Sequence, residues 1–336
     1  MTSDSHGDPP GRFDGEGTMS EPTAVQRLLQ FAEQVRVPET VSPEGLAARF
    51  GAPSDLEVRV GQVWRARWDD ISALLLITGV EDLTIEGVPV TLDLPAADDR
   101  VFVVEGTLTA FGVDATAWIG LSERFPLRVL EQPVDRWIDE LVDGIRAAVA
   151  DDAATAPPEP AARIAFASEA VMWAELADDL AALRAVPALP HEVEGESPTT
   201  LRSLFGKGLD LRVLVEALRP LGYAQPDVMA LLNGKKPLTP DAADAVAKVT
   251  GFEREKIEAA VVPLPRGFVA EVDHPRWRQV WQRRAERYGL DEATARLDGS
   301  YEFFARAARE TGSGQVDWRA RLTQYVQREE DGSAGR

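Results

Sequence analysis

Val58, Val60, Gln62, Trp64, Ala66 and Trp68 share one side of a period-two segment, and residues 73–80 follow as an unbroken apolar run. Alternation predicts a half-buried strand, and the apolar run a strand covered on both faces. Segments 84–94, 100–105, 115–120 and 127–130 continue in the same manner. So many short strands in roughly 75 residues predict a small, strongly bent antiparallel β-barrel, here opening near Glu57.

Elsewhere the apolar period lengthens to that of a helix. Val25, Leu28, Leu29 and Ala32 mark a helix over 22–37, and a short one is predicted over 43–50. Trp137, Leu141, Ile145 and Ala148 form a stripe after the strands; Phe166, Ala170, Trp173, Leu176, Leu180 and Leu183 form another. Between these two, 151–160 carries three prolines and reads as a linker, and a Pro- and Glu-rich break follows at 187–198. Near the C-terminus, Trp277, Trp281, Ala285 and Tyr288 lie on one side of a predicted helix over 275–288, with Arg276, Arg283 and Arg287 as a basic ridge on another. Leu297, Tyr301, Phe304, Ala305 and Ala308, then Trp318, Leu322 and Tyr325, predict two further helices. The fold class expected is α+β. Its parts are a tail (1–20), a helix-plus-barrel domain (21–150), a linker with one helix (151–199), an all-α domain (200–262) and a helical extension (263–330).

Residues 228–251 give the sharpest local reading. Val228, Leu231 and Leu232 stripe a helix that Asn233-Gly234 can stop in a left-handed turn. Thr239 then suits an N-cap, Pro240 the first helical position and Asp241 the positive helix end. Ala242, Ala245, Val246 and Val249 form the next stripe, and Gly251 closes it.

Over 211–251 this pattern resembles the lambda-repressor-like (XRE/Cro) helix-turn-helix family, and most closely its HigA-type antitoxin branch, in which a Leu-Asn-Gly-Lys-Arg-Pro run precedes a Thr-Pro-capped helix. The resemblance implies that 211–221 crosses the DNA backbone and that 225–233 is the recognition helix in the major groove. Gln225, Asp227 and Asn233 would then lie on the reading helix: glutamine can pair with adenine, and aspartate can accept from cytosine while being repelled by phosphate. Arg212, Lys235 and Lys236 would meet phosphates and set affinity and register. The sequence departs from the family at 219–224, where the turn is about two residues longer and Pro220 must stop the helix.

A second likeness lies in the strands. Gly61-Gln62-Val63-Trp64 before an apolar strand is similar to the start of the SH3-like MazF/PemK toxin barrel, a likeness taken over 57–130. That family's long Gly- and Arg-containing loop is replaced here by Asp69-Asp70-Ile71-Ser72, so no catalytic residue is carried across and ribonuclease activity is not expected.

Charge refines the picture. The 336 residues net −20, yet residues 201–336 hold 22 Lys+Arg against 20 Asp+Glu, leaving 14 against 36 in residues 1–200. The five lysines all lie between Lys207 and Lys256. An acidic half that stays off DNA and a near-neutral half that could touch it are compatible with this split. There is no cysteine, and His6, His191 and His274 are too scattered for a metal site or a Ser-His-Asp arrangement. No Gly-rich phosphate loop, metalloprotease motif or nucleophile elbow is present, so neither an enzyme nor a cofactor is expected. The absence of long apolar runs or a signal-like start predicts a cytoplasmic protein with no membrane partner.

The expectation is a sequence-specific DNA-binding transcriptional regulator. Its partner would be double-stranded DNA, and its acidic module would bind a protein partner or form a homodimer. The alternative is an antitoxin-like or adaptor protein whose helical domain holds another protein.

Overall fold

In the computed structural model of the chain, the described residues are 38–92, 100–154, 167–193, 195, 199–208, 210–307 and 316–334. The expected tail and the helix over 22–37 lie outside them. Helix α1, Pro43–Phe50, opens on Ser42, whose hydroxyl accepts from the Gly45 N–H, and it precedes the strands as expected.

Seven strands follow: β1 (Gln62–Trp68), β2 (Ile71–Val80), β3 (Thr84–Thr91), β4 (Phe102–Val104), β5 (Ala115–Ala117), β6 (Glu123–Pro126) and β7 (Leu130–Arg136). All pair antiparallel in the order β4-β5-β3-β2-β1-β7, while β6 bonds to the first half of β3. Trp68 pairs Ile71 across a two-residue turn in which Asp69 takes a φ of 50°, the left-handed conformation such hairpins require.

Three expectations are corrected here. The sheet is antiparallel but not closed into a barrel. Residues 57–61 precede β1 as irregular chain, since Gly61 (φ 85°) turns back to bond Trp137 and Ile77. Residues 127–130 are mostly a 3₁₀ turn, Leu127–Val129, joining β6 to β7, two strands the alternation does not reveal.

The unbroken apolar run in β2 has a direct cause, because both faces of the sheet are covered. Trp64, Leu75, Ile77, Ile85 and Phe125 face one core, closed by Leu180 and Leu183 of α3 (Ala167–Arg184). Val63, Leu76, Val88 and Ala117 face the opposite core, closed by Trp137 and by Val142 and Ile145 of α2 (Asp139–Ala154).

Five short helices come next: α4 (Leu201–Phe205), α5 (Leu211–Leu218), α6 (Gln225–Leu232), α7 (Pro240–Thr250) and α8 (Arg254–Glu258). Leu201, Leu214, Leu218, Val228, Leu231, Ala243, Val246 and Ile257 form their shared core. The last described elements are α9 (Arg266–Asp273), a 3₁₀ turn Pro275–Trp277, α10 (Arg278–Tyr288), α11 (Glu292–Ala307) and α12 (Trp318–Ala334). Phe268 centres their aromatic core, with ring centroids 5.3 Å from Phe303 and 5.1 Å from Trp318. Among the described residues no helix is long and apolar enough to cross a membrane.

Buried charge joins these helices to the sheet. Arg128, in the turn before β7, meets Asp273 at 3.2 Å; Asp273 also meets Arg296 at 3.5 Å; Arg296 meets Glu292 at 2.8 Å; and Glu292 meets Arg278 at 3.2 Å. The guanidiniums further donate to backbone carbonyls of Val186, Val272 and Val129. Asp273 is 1% exposed and the three arginines no more than 6%, so each charge depends on its partners. Arg276 is likewise buried, against His274 and Glu57, which removes it from the expected basic ridge; Tyr288, expected on the apolar face, is 55% exposed.

His274 is pushed down from its ordinary 6.5 to about 3, first by burial and then by the positive charges of Arg276 and Arg319. The folded chain keeps it neutral, whereas the unfolded chain protonates it near pH 6.5. Stability is therefore complete above pH 6.5 and declines as pH falls toward 3, by about 2 kcal/mol at pH 5. Chemical unfolding at pH 7.5 and pH 5 is expected to show this loss, with His274→Gln flattening it. Equal pH slopes in the two proteins would remove His274 as the cause.

Candidate nucleic-acid interface

The corner after α6 is built as its sequence dictates. Gly234 takes a φ of 65°, the Lys235 N–H reaches back to the Ala230 carbonyl at 2.9 Å, and the Gly234 N–H reaches Leu231 at 2.9 Å. Those two bonds are the paired closure of a left-handed helix stop. Thr239 then accepts from the Ala242 N–H at 3.3 Å and caps α7, whose first residue is Pro240; Gly251 ends it at a φ of 74°.

On the other side of α6, the lengthened turn resolves into α5 ending at Leu218, a 3₁₀ turn Arg219–Leu221 containing Pro220, and Gly222 at a φ of 84°. The crossing helix is thus shorter than 211–221. The Tyr223 N–H bonds the Leu218 carbonyl at 3.3 Å, so the extra residues form a compact bend.

Six side chains were expected at this interface, and they divide into two sets. Asp227 uses one carboxylate oxygen to accept from the Ala224 N–H at 3.0 Å and the other to hold Lys236 at 3.0 Å. The Lys236 bond, then the Ala224 bond, hold its carboxyl below its ordinary value of 3.8. Lys236 also lies over the Tyr223 ring, 5.0 Å from its centre. Asn233 donates to the Met229 carbonyl at 2.8 Å, finishing its own helix. These three groups are occupied within the fold.

Arg212, Gln225 and Lys235 form the second set. Each is exposed: Arg212 in the first turn of α5, Gln225 at the first position of α6, Lys235 just beyond its end. Among the described residues none of the three side chains has a hydrogen-bonding or ionic partner.

Sequence reasoning missed what borders the corner. Lys235, Lys236 and Pro237 share a groove with Arg284 of α10 and with Asp298, Tyr301 and Glu302 of α11. Burial raises the Asp298 carboxyl, while the Lys236 charge opposes that rise. Val262 closes on Gly234, its N–H donating to the Gly234 carbonyl at 3.2 Å. No pattern in 228–251 announces these neighbours, which arrive from beyond residue 260.

No family model matches the chain, and comparison with curated proteins finds no match either.

Proposed function

We propose that the protein is a DNA-binding regulator in which helices α4 to α8 form a lambda-repressor-like cluster that docks on duplex DNA. In this reading α6 enters the major groove, led by Gln225, while Arg212 and Lys235 contact phosphates on either side. The observation that carries it is the division of the six side chains. Three of the six, Arg212, Gln225 and Lys235, are exposed, and Asp227, the group that phosphate would repel, is neutralised by Lys236.

The sheet is then the partner-binding or self-association module. Its edge strand β4 supports this role, with Val103 about half exposed, next to similarly exposed Leu108 and Val113.

Two phosphate-facing cations imply a shallow salt dependence, with a slope of log K against log salt near −2. The test is selection of duplexes from a randomised library by the full chain. Arg212→Glu with Lys235→Glu should weaken all selected duplexes alike, and Gln225→Ala should change which sequences are enriched. No salt-dependent retention, or identical effects from both variants, would refute the assignment.

A second reading, in which the cluster holds another protein, is favoured by the exposure of Val213 on α5, Val249 on α7 and Leu221 in the turn between α5 and α6. Under it, duplex DNA is not retained at all.

A further inference from the structure

The groove beside the corner has a volume of about 380 Å³ and lies between α6, residues 235–237, α10 and α11. Two groups of opposite charge line it without partners, Asp298 of α11 and Lys235. We infer that this groove binds a free α-amino acid with an apolar side chain, its ammonium on Asp298 and its carboxylate on Lys235.

Asp298 carries the first half of the inference. Its carboxylate is half-buried, and among the described residues it has neither a hydrogen-bond donor nor an ion-pair partner. A carboxylate drawn partly out of water with its lone pairs unfilled is costly. Lys236 and Arg284 are near enough to act on it, yet each is engaged elsewhere. Lys236 holds Asp227 at 3.0 Å and lies over the Tyr223 ring. Arg284 holds Glu302 at 2.6 Å and lies over the Tyr288 ring, 5.1 Å from its centre. Because Asp298 keeps accessible surface in the groove, a ligand ammonium can reach it and supply the donors that the fold withholds.

Lys235 carries the second half. Its side chain is exposed, lines the same groove and makes no ion pair with Asp298. A simple anion would be repelled by Asp298 and Glu302, and a simple cation by Lys235, Lys236 and Arg284. A zwitterion with both charges on one carbon matches a site that offers one free group of each sign.

The rest of the lining selects the side chain. Ala230, Pro237 and Ala305 are apolar and small, and the Tyr301 hydroxyl is already spent on the Val262 carbonyl at 2.8 Å. A void of roughly 150 Å³ accommodates a benzene ring, so the groove has room for an aromatic amino acid.

Phenylalanine is the probe, titrated calorimetrically into the full chain without DNA, so the outcome does not depend on the DNA-binding reading. Saturable one-to-one binding is expected. N-acetylphenylalanine, which lacks the ammonium, should bind at least about ten-fold more weakly, and phenylalaninamide, which lacks the carboxylate, about three- to five-fold more weakly. Asp298→Asn should weaken phenylalanine at least about ten-fold, at an unfolding midpoint no lower than that of the parent chain, since the carboxylate has no partner to lose. Lys235→Gln should bring phenylalanine down to the affinity of phenylalaninamide and leave phenylalaninamide itself unchanged. No saturation up to about 10 mM phenylalanine, equal affinity for N-acetylphenylalanine, or undiminished affinity in Asp298→Asn would each overturn the inference.

Discussion

Asp273→Asn is expected to lower the unfolding free energy by about 3–5 kcal/mol, because it removes one partner of a buried set and leaves the others charged. Asp273 is the sole carboxylate on Arg128 among the described ion pairs and shares Arg296 with Glu292. Asparagine keeps the shape and one acceptor oxygen, so the loss reports charge rather than a cavity. Burial already lowers the Arg128 pKa, and the attraction and hydrogen bond of Asp273 oppose that fall. Urea unfolding measures the change. A cycle with Arg128→Met should be strongly non-additive, since removing both charges abolishes most of the penalty that removing one creates. A loss below about 1 kcal/mol in the single variant would mean that water reaches the set and screens it.

The second large effect falls on Gly234→Ala, which is expected to cost about 2–4 kcal/mol. A side chain at φ 65° is strained by itself, and a Cβ placed there would stand 2.7 Å from the Val262 backbone nitrogen and 2.8 Å from its Cγ2. Neither neighbour is the free end of a flexible chain, so the segment beyond α8 must move. Gly222→Ala provides the contrast. Its φ is 84° and a Cβ would meet nothing within 4 Å, so only the backbone strain of about 1 kcal/mol applies. Equal losses in the two variants would show that the Val262 contact carries no weight.

These two positions also mark what the sequence makes legible. The stop at Gly234, the cap at Thr239 and the end at Gly251 were readable because each is decided by a residue's own backbone preference and one neighbour within a turn. Helix α1 begins on equally local chemistry, Ser42 capping it and Pro43 standing at its first position. The 3₁₀ turn holding Arg128 was not, since a buried arginine in a short apolar run makes sense only beside Asp273, 145 residues later. Periodicity likewise placed Arg276 beside Arg283 and Arg287, but it carries no information on Glu57, which draws Arg276 inward.

At the proposed interface the same division holds. The positions of Gln225 and Asp227 at the start of α6 were implied by the family resemblance and that of Lys235 by the local stop at Gly234, whereas the pairing of Asp227 with Lys236 depends on how the corner folds back across nine residues. Sheet closure failed for a related reason: strand alternation specifies which side chains face a core, not whether the last ladder is made.

The alternation Arg128, Asp273, Arg296, Glu292, Arg278 draws its members from both sides of helices α4 to α8 in the chain. A crossover anywhere between residues 128 and 273 would bring together two halves of a charge code written in different parentage. Unless the new neighbour supplied the matching sign at each place, bare charge would be sealed inside. The helical C-terminal region is therefore bound to its own sheet as a unit of inheritance, and exchanging helices α4 to α8 on this scaffold requires cuts that fall within 187–260, leaving both ends of the alternation from a single source.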